Sequence, residues 1–276
     1  LLESLITQRT RAIVPVHYAG VGCEMDNIMA IANRHGVAVI EDNAHGLFGS
    51  YRGKKLGTFG SMSTLSFHET KNISSGEGGA LVINDASLVE RAEIIREKGT
   101  NRSTFLRGQV DKYTWVDAGS SFLMSDLLAA VLLAQLERAS QIQKRRREIW
   151  DRYHESLLSW SSQHGIRMPY VPAYCDQAYH MFYLLMPSLD TRTQFIAHLR
   201  DRQIMAVFHY VPLHSAPMSV TLGSDVNDCP VTNDVSARLV RLPFFSGMSD
   251  QELDRVIETI VTFEPAATTV GLGAHS

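Results

Sequence analysis

The sequence predicts an α/β protein: a mostly parallel sheet domain followed by a smaller α+β domain. Three observations carry this. Residues 12–40 alternate an apolar run, a helical period and a second apolar run, the succession of a βαβ unit whose strands run parallel. Two further apolar runs, 62–67 and 80–83, flank a glycine-rich loop that holds Lys71. Near Ala139 a long helical pattern changes from apolar to basic, and short strands and helices alternate after it.

In order, residues 1–8 carry Leu1, Leu2, Leu5 and Ile6 at helix-like spacing, with neither an initiator methionine nor a capping residue before them, so the chain is expected to start inside a fold. Residues 12–18 read as a buried strand, 25–35 as a helix closed by Gly36, and 37–40 as a second buried strand that delivers Glu41 and Asp42 to its C-terminal end. Residues 51–57 read as a hairpin turning near Gly53. Ser87 with Glu90 suggests a capping box for a helix reaching Lys98 and stopped by Gly99. Residues 99–119 form a polar, glycine-punctuated loop. Ser125 is the expected N-cap of a helix that is buried and apolar through Leu136, then solvated through Lys144, Arg145, Arg146 and Arg147. The second domain is expected to hold strands at 181–186 and 205–208 and helices at 191–202, 234–240 and 250–263. The expected organisation is a large domain at 1–138, a small one at 139–264 and a disordered tail at 265–276.

Composition narrows the function. With 276 residues there is ample apolar material for a core. A net charge of −3, with both signs mixed along the chain, gives no footprint for nucleic acid or an anionic membrane. Cys23, Cys175 and Cys229 are odd in number and far apart, which fits neither a disulfide framework nor a metal-binding pattern, and they are assigned to packing as reduced thiols. No apolar run reaches the ~20 residues that span a bilayer. A soluble, cytoplasmic protein is the expectation.

Lys71 lies just beyond an apolar run and before Ser74-Ser75-Gly76-Glu77-Gly78-Gly79, where open α/β sheets hold their ligands. A solvated surface lysine is the commoner fate of that residue type. With Asp42 at one strand end and Ser66 at another, however, Lys71 completes the set that pyridoxal phosphate (PLP) needs. That set is an amine to form a Schiff base, a carboxylate to keep the pyridine nitrogen protonated, and a hydroxyl to help hold the phosphate. Taken alone, Asp42 reads rather as a cap or turn former, and many α/β proteins place an Asp and a Lys at strand ends.

Longer motifs add specificity: Val16-His17-Tyr18-Ala19-Gly20, Val39-Ile40-Glu41-Asp42-Asn43-Ala44-His45, Ser66-Phe67-His68 with Lys71-Asn72, Glu77-Gly78-Gly79, and His209-Tyr210-Val211-Pro212-Leu213-His214. On these the chain, from Val14 through Phe263, resembles the DegT/DnrJ/EryC1/StrS sugar aminotransferases, a branch of the aspartate-aminotransferase-like fold (PLP fold type I). Residues 96–102 and 108–115 look like the family's enterobacterial transaminases that make dTDP-4-amino-4,6-dideoxygalactose.

The resemblance implies that Lys71 is the Schiff-base lysine and proton shuttle, that Asp42 pairs with the pyridinium nitrogen, that His45 contacts the ring or its O3′, and that Ser66 binds phosphate. It further implies L-glutamate as amino donor, a dTDP-4-keto-6-deoxyhexose as acceptor (dTDP-4-dehydro-6-deoxyglucose in the first instance), and a homodimer with shared sites. His68 enters as a cofactor-side residue or a stabiliser of the lysine loop. Asn101 and Arg102 enter as substrate residues, with an ion pair as the alternative for Arg102. His209, Tyr210 and His214 lie on a segment expected to fold over the sugar. Two departures stand out. Relatives begin with a segment supplying early strands, a phosphate-cup loop and an aromatic ring on the cofactor, which leads to the expectation of an N-terminally truncated chain. Many also carry an asparagine ahead of the helix start, where this chain has Phe122-Leu123-Met124-Ser125-Asp126. The family's dehydratase branch replaces the lysine with histidine, so Lys71 argues against it. A non-catalytic remnant or sugar-nucleotide sensor is the reading from another class. The choice of sugar, its epimer and C3 or C4 amination turn on a few pocket side chains.

Overall fold

A computed structural model describes residues 1–265, which form two compact units: residues 1–143 with 171–180, and residues 144–170 with those from 181 onward. All but the first residue of the expected tail, 266–276, lies outside the described residues.

The first unit is built on β1 (Ala12–Ile13), α1 (Met25–His35), β2 (Ala38–Asp42), the hairpin β3 (Ser50–Tyr51) and β4 (Lys54–Lys55), β5 (Met62–Ser66) and β6 (Gly79–Ile83). The main sheet has the order β1-β2-β5-β6. Its first three strands are parallel, with Ile13 opposite Val39 and Asp42 opposite Thr64, and β6 returns antiparallel with Gly79 opposite Ser66. The fold is thus the mostly parallel α/β sheet that the sequence predicts. Gly36 ends α1 in the left-handed conformation expected of a C-terminal glycine. Met25 and Ala32 of α1 pack with Val39, Tyr51 and Leu56 as a small core. The hairpin turns through Arg52 (φ 49°) and Gly53 (φ 79°), the doubly positive φ of a turn matched to strand twist.

Several expectations change. The helix-like start is a single 3₁₀ turn, Glu3–Leu5, whose Glu3 carboxylate binds Arg34 and His35 of α1. The strand expected over 12–18 breaks at Pro15, resumes only as a Val16–Asp42 bridge, and leaves Val14 and Val16 exposed at the sheet edge. The next helix, α2 (Val89–Arg96), follows a 3₁₀ turn capped by Asp85, whose carboxylate takes the Ser87 amide and hydroxyl; Ser87 is therefore the capped partner. The loop at 99–119 holds a short α3 (Arg102–Leu106) and is laced by amides of Val116 and Asp117 donating to Gly99 O. Ser125 does cap α4 (Asp126–Glu137), but the helix ends at Arg138 and a separate α5 (Ala139–Gln163) begins. Far from being buried, α4 has no buried residue and exposes Leu127, Val131, Leu133 and Leu136, because the described residues supply no layer over that face. The two-residue β7 (Cys175–Asp176) then pairs with β3, and Ala178 N donates to Gly20 O, which ties 171–180 into the first unit.

The second unit carries β8 (Tyr183–Leu185), α6 (Leu189–Arg200), β9 (Val207–Phe208), α7 (Pro217–Thr221), α8 (Pro230–Arg238), β10 (Leu239–Arg241) and α9 (Asp250–Val261). Its sheet is antiparallel with β10 in the centre, order β8-β10-β9. The helix expected over 234–240 thus ends at Arg238, and Leu239 and Val240 leave it to become the middle strand. Ser188 caps α6, and Ser249 with Glu252 forms a complete capping box on α9. Tyr153, Leu157, Phe182, Leu184, Phe195, Leu199, Val240 and Ile260 fill the core. The basic half of α5 is not uniformly solvated: Arg146 is buried, its guanidinium over the Phe244 ring at 4.6 Å, and its pKa is lowered to about 10 by desolvation. No helix among the described residues is long and apolar enough to cross a membrane.

Candidate active site

Neighbouring parallel strands bring the first residues together. Asp42 closes β2 and Ser66 closes β5, so both stand at the C-terminal edge of one sheet, and the loop after β5 supplies Lys71. The backbone of that loop is held by Phe67 N on Gly78 O (2.8 Å), Ser75 N on Phe67 O (2.9 Å) and Lys71 N on His68 O (2.9 Å). Asp42 Oδ1 accepts the Ala44 amide at 3.0 Å, a local turn that fixes the carboxylate. Partial burial lowers the Lys71 pKa below the ordinary lysine value, while the Asp42 charge pulls it back up. Lys71 and Asp42 are therefore within electrostatic reach, and the amine keeps a larger neutral fraction than a surface lysine would.

Strand alternation sends Glu41 to the opposite face from Asp42. There it is fully buried, accepting from His17 Nε2 (2.9 Å) and from the amides of Gly57 (2.7 Å), Phe59 (2.6 Å) and Gly60 (2.8 Å). The loop after β4 is thereby clamped to the end of β2. Cys23 N donates to His17 Nδ1, so His17 carries its proton on Nε2.

His45, three residues past Asp42, stacks on His180, with ring centroids 3.9 Å apart and planes 16° from parallel, and meets Tyr18 edge-on at 5.2 Å. Asn72, next to Lys71, is buried and bonded to Ala178 O, Gln143 and His180. Sequence reading missed His17 as the partner of Glu41 and His180 as the neighbour of His45 and Asn72. His180 lies 108 positions from Asn72, and no local period or spacing marks such a pair.

The remaining candidates are placed as follows. His68 serves the lysine loop itself: its Nδ1 meets the Thr70 hydroxyl at 3.0 Å and accepts the Thr70 amide at 3.3 Å. Asn101 Oδ1 accepts the Thr114 amide at 2.8 Å, bracing the 99–119 segment. Arg102 donates to the buried Glu97 at 2.5 Å, the ion-pair alternative. In the second unit, Arg241 lies over the Tyr210 ring at 5.3 Å, His214 Nε2 meets Asn233 Oδ1 at 3.0 Å, and burial with the nearby Arg241 charge lowers the His209 pKa to about 4.

The profile of the DegT/DnrJ/EryC1/StrS aminotransferase family matches residues 1–261. The chain belongs to that family. An uncharacterized protein of Methanocaldococcus jannaschii is 35% identical over 267 residues, 94% of this chain and 68% of that protein. The spore coat polysaccharide biosynthesis protein SpsC of Bacillus subtilis is 33% identical with the same coverage. Among solved structures, a Streptococcus pneumoniae protein assigned as a sugar aminotransferase matches in its apo form with a TM-score of 0.85 at 25% identity, covering 95% of this chain and 69% of its own. It has also been solved in forms carrying PLP and its amino counterpart PMP. The chain thus spans about two thirds of the length of these family members.

Proposed function

We propose that the chain is a PLP-dependent sugar aminotransferase that moves an amino group from L-glutamate to a dTDP-4-keto-6-deoxyhexose, dTDP-4-dehydro-6-deoxyglucose being the first candidate. The observation that carries the reading is the half-buried Lys71 amine, felt by the Asp42 carboxylate, at one edge of the sheet. Its donor set fits PLP: a lysine with a depressed pKa, a carboxylate at a neighbouring strand end, a hydroxyl at Ser66 and an imidazole at His45. When bound, the cofactor supplies an aldehyde for the amine and an electron-withdrawing ring. Lys71 would hold it covalently and carry the transferred proton at Nζ, which requires a neutral amine. Asp42 would pair with the pyridine nitrogen, Ser66 with the phosphate and His45 with the ring.

Dimerisation belongs to the same reading. Exposed apolar side chains on α4 (Leu127, Leu133) and in the segment before it (Trp115, Phe122) suit a subunit contact. Asn101, Arg102, His209, Tyr210 and His214 are assigned to the sugar-nucleotide side.

The test is direct. PLP followed by borohydride should fix a pyridoxyl mass on the peptide containing Lys71, and Lys71→Ala should abolish it. Glutamate should yield more than one equivalent of 2-oxoglutarate per cofactor only when a dTDP-ketosugar is present to take the amino group. A protein that binds the sugar nucleotide but shows neither would be the non-catalytic alternative.

A further inference from the structure

The residue after Lys71 is more tightly held than the lysine. Asn72 Nδ2 donates to Ala178 O at 2.6 Å and to Gln143 Oε1 at 3.2 Å, and Gln143 Nε2 donates to the same Ala178 carbonyl at 3.2 Å. With the amide nitrogen so committed, Oδ1 faces His180 Nδ1 at 2.9 Å. An amide oxygen only accepts, so His180 carries a proton on Nδ1. Asn72 is thus a buried side chain engaged at both ends of its amide. The face of the same His180 ring lies against His45 at 3.9 Å.

We infer that His180 is a positioning residue: through Asn72 it fixes the backbone from which the Lys71 side chain departs, and through its ring face it fixes the plane of His45. One imidazole thereby registers an amine on the loop after β5 with a ring on the loop after β2. Neither loop has a regular element of its own to do this. A lysine side chain rotates about four bonds, so a backbone locked at the adjacent residue removes much of the freedom that would let Nζ swing into solvent, away from the Asp42 carboxylate. The purpose assigned to the two groups rests on the proposed function; the contacts do not.

Two substitutions separate the two contacts. His180→Phe keeps a flat ring on His45 but donates nothing to Asn72, whereas His180→Asn keeps a donor and loses the ring. In each protein, without cofactor, the pH midpoint at which trinitrobenzenesulfonate labels Lys71 is followed by peptide mass, alongside the thermal midpoint. In the wild type, Lys71 labels with a midpoint below that of an ordinary lysine. In His180→Phe the midpoint rises towards the ordinary value and labelling at neutral pH slows several-fold, while His180→Asn stays near wild type. Asn72→Ser, the second route to the same loss, shifts in the same direction as His180→Phe and serves if that variant does not fold. Wild-type midpoints in His180→Phe or Asn72→Ser, with only the thermal midpoint lowered, would reduce His180 to a packing residue and overturn the inference. Borohydride trapping of PLP on the wild type is run in parallel. If it leaves Lys71 unmarked, the proposed function falls, while the labelling midpoints still decide the role of His180.

Discussion

Glu41 accepts the Nε2–H of His17 at 2.9 Å with both side chains fully buried. Burial raises the pKa of this carboxyl, yet the His17 bond and the three loop amides outweigh it, and the net value lies below the ordinary one. A folded-state value below the unfolded one contributes stability that is complete above the unfolded pKa, near 4.5, and is lost as pH falls through the folded value. Glu41→Gln forces an N–H toward amide donors and should cost about 3–5 kcal/mol in urea unfolding at pH 7. It should also flatten the acid limb of the stability curve. Wild-type stability in this variant would show that Glu41 does not clamp the loop to β2.

Lys71 has a linkage of the same sign at higher pH, although here it is the charged form that folding disfavours. Desolvation depresses its folded-state value despite the Asp42 charge, so the unfolded chain binds more protons between the folded and unfolded values, and stability rises as pH climbs through that window to the ordinary lysine value near 10.5. Lys71→Met, which removes the partly desolvated charge, should therefore be as stable as the wild type at pH 7 or gain up to about 1 kcal/mol after solvent screening. Differential scanning calorimetry measures this, and the same sample should no longer be trapped by PLP and borohydride.

Gly99 turns with φ 74°, and a Cβ there would stand 1.8 Å from the Asp117 carbonyl oxygen. That oxygen is backbone, so the crowding has no flexible side chain to absorb it. Gly99→Ala should destabilise the first unit by about 3 kcal/mol or more. In hydrogen exchange, the Val116 and Asp117 amides, both bonded to Gly99 O, should lose protection first.

His209 titrates near pH 4 because burial and the Arg241 charge oppose its protonation. Its contribution to stability is complete above the unfolded histidine value near 6.5 and drains away as pH falls towards 4. An NMR titration should find the His209 ring neutral throughout pH 5–8, and any activity profile bending in that range should persist in His209→Asn. A His209 midpoint near 6.5 would contradict this environment.

What the sequence disclosed followed from locality. The βαβ unit, the Gly36 stop and the hairpin at Gly53 are set by neighbours a few positions apart, and the structure has all three. Asp42 and Ser66 were legible at strand ends, and Lys71 in the loop after one of them, because strand ends are local features; the role expected of each came with the family likeness. What stayed hidden depends on distant partners. Leu239 and Val240 follow α8 without a turn residue, and only pairing with β8 and β9 makes them a strand. An apolar composition told correctly that α4 is a helix but could not tell which surface covers it. The contact between His180 and Asn72 joins positions with no shared period.

The return of 171–180 to the first unit has a consequence in time as well as in space. The ribosome releases the lysine loop about 100 residues before His180, which at ~5–20 residues per second is a delay of roughly 5–20 s. During that interval Asn72 has neither Ala178 nor His180 to bind, and β3 has only β4 beside it. The Asn72 side chain beside Lys71 is thus synthesised well before the groups that hold it. A nascent chain stalled short of residue 180 would carry Lys71 in an unfinished cradle.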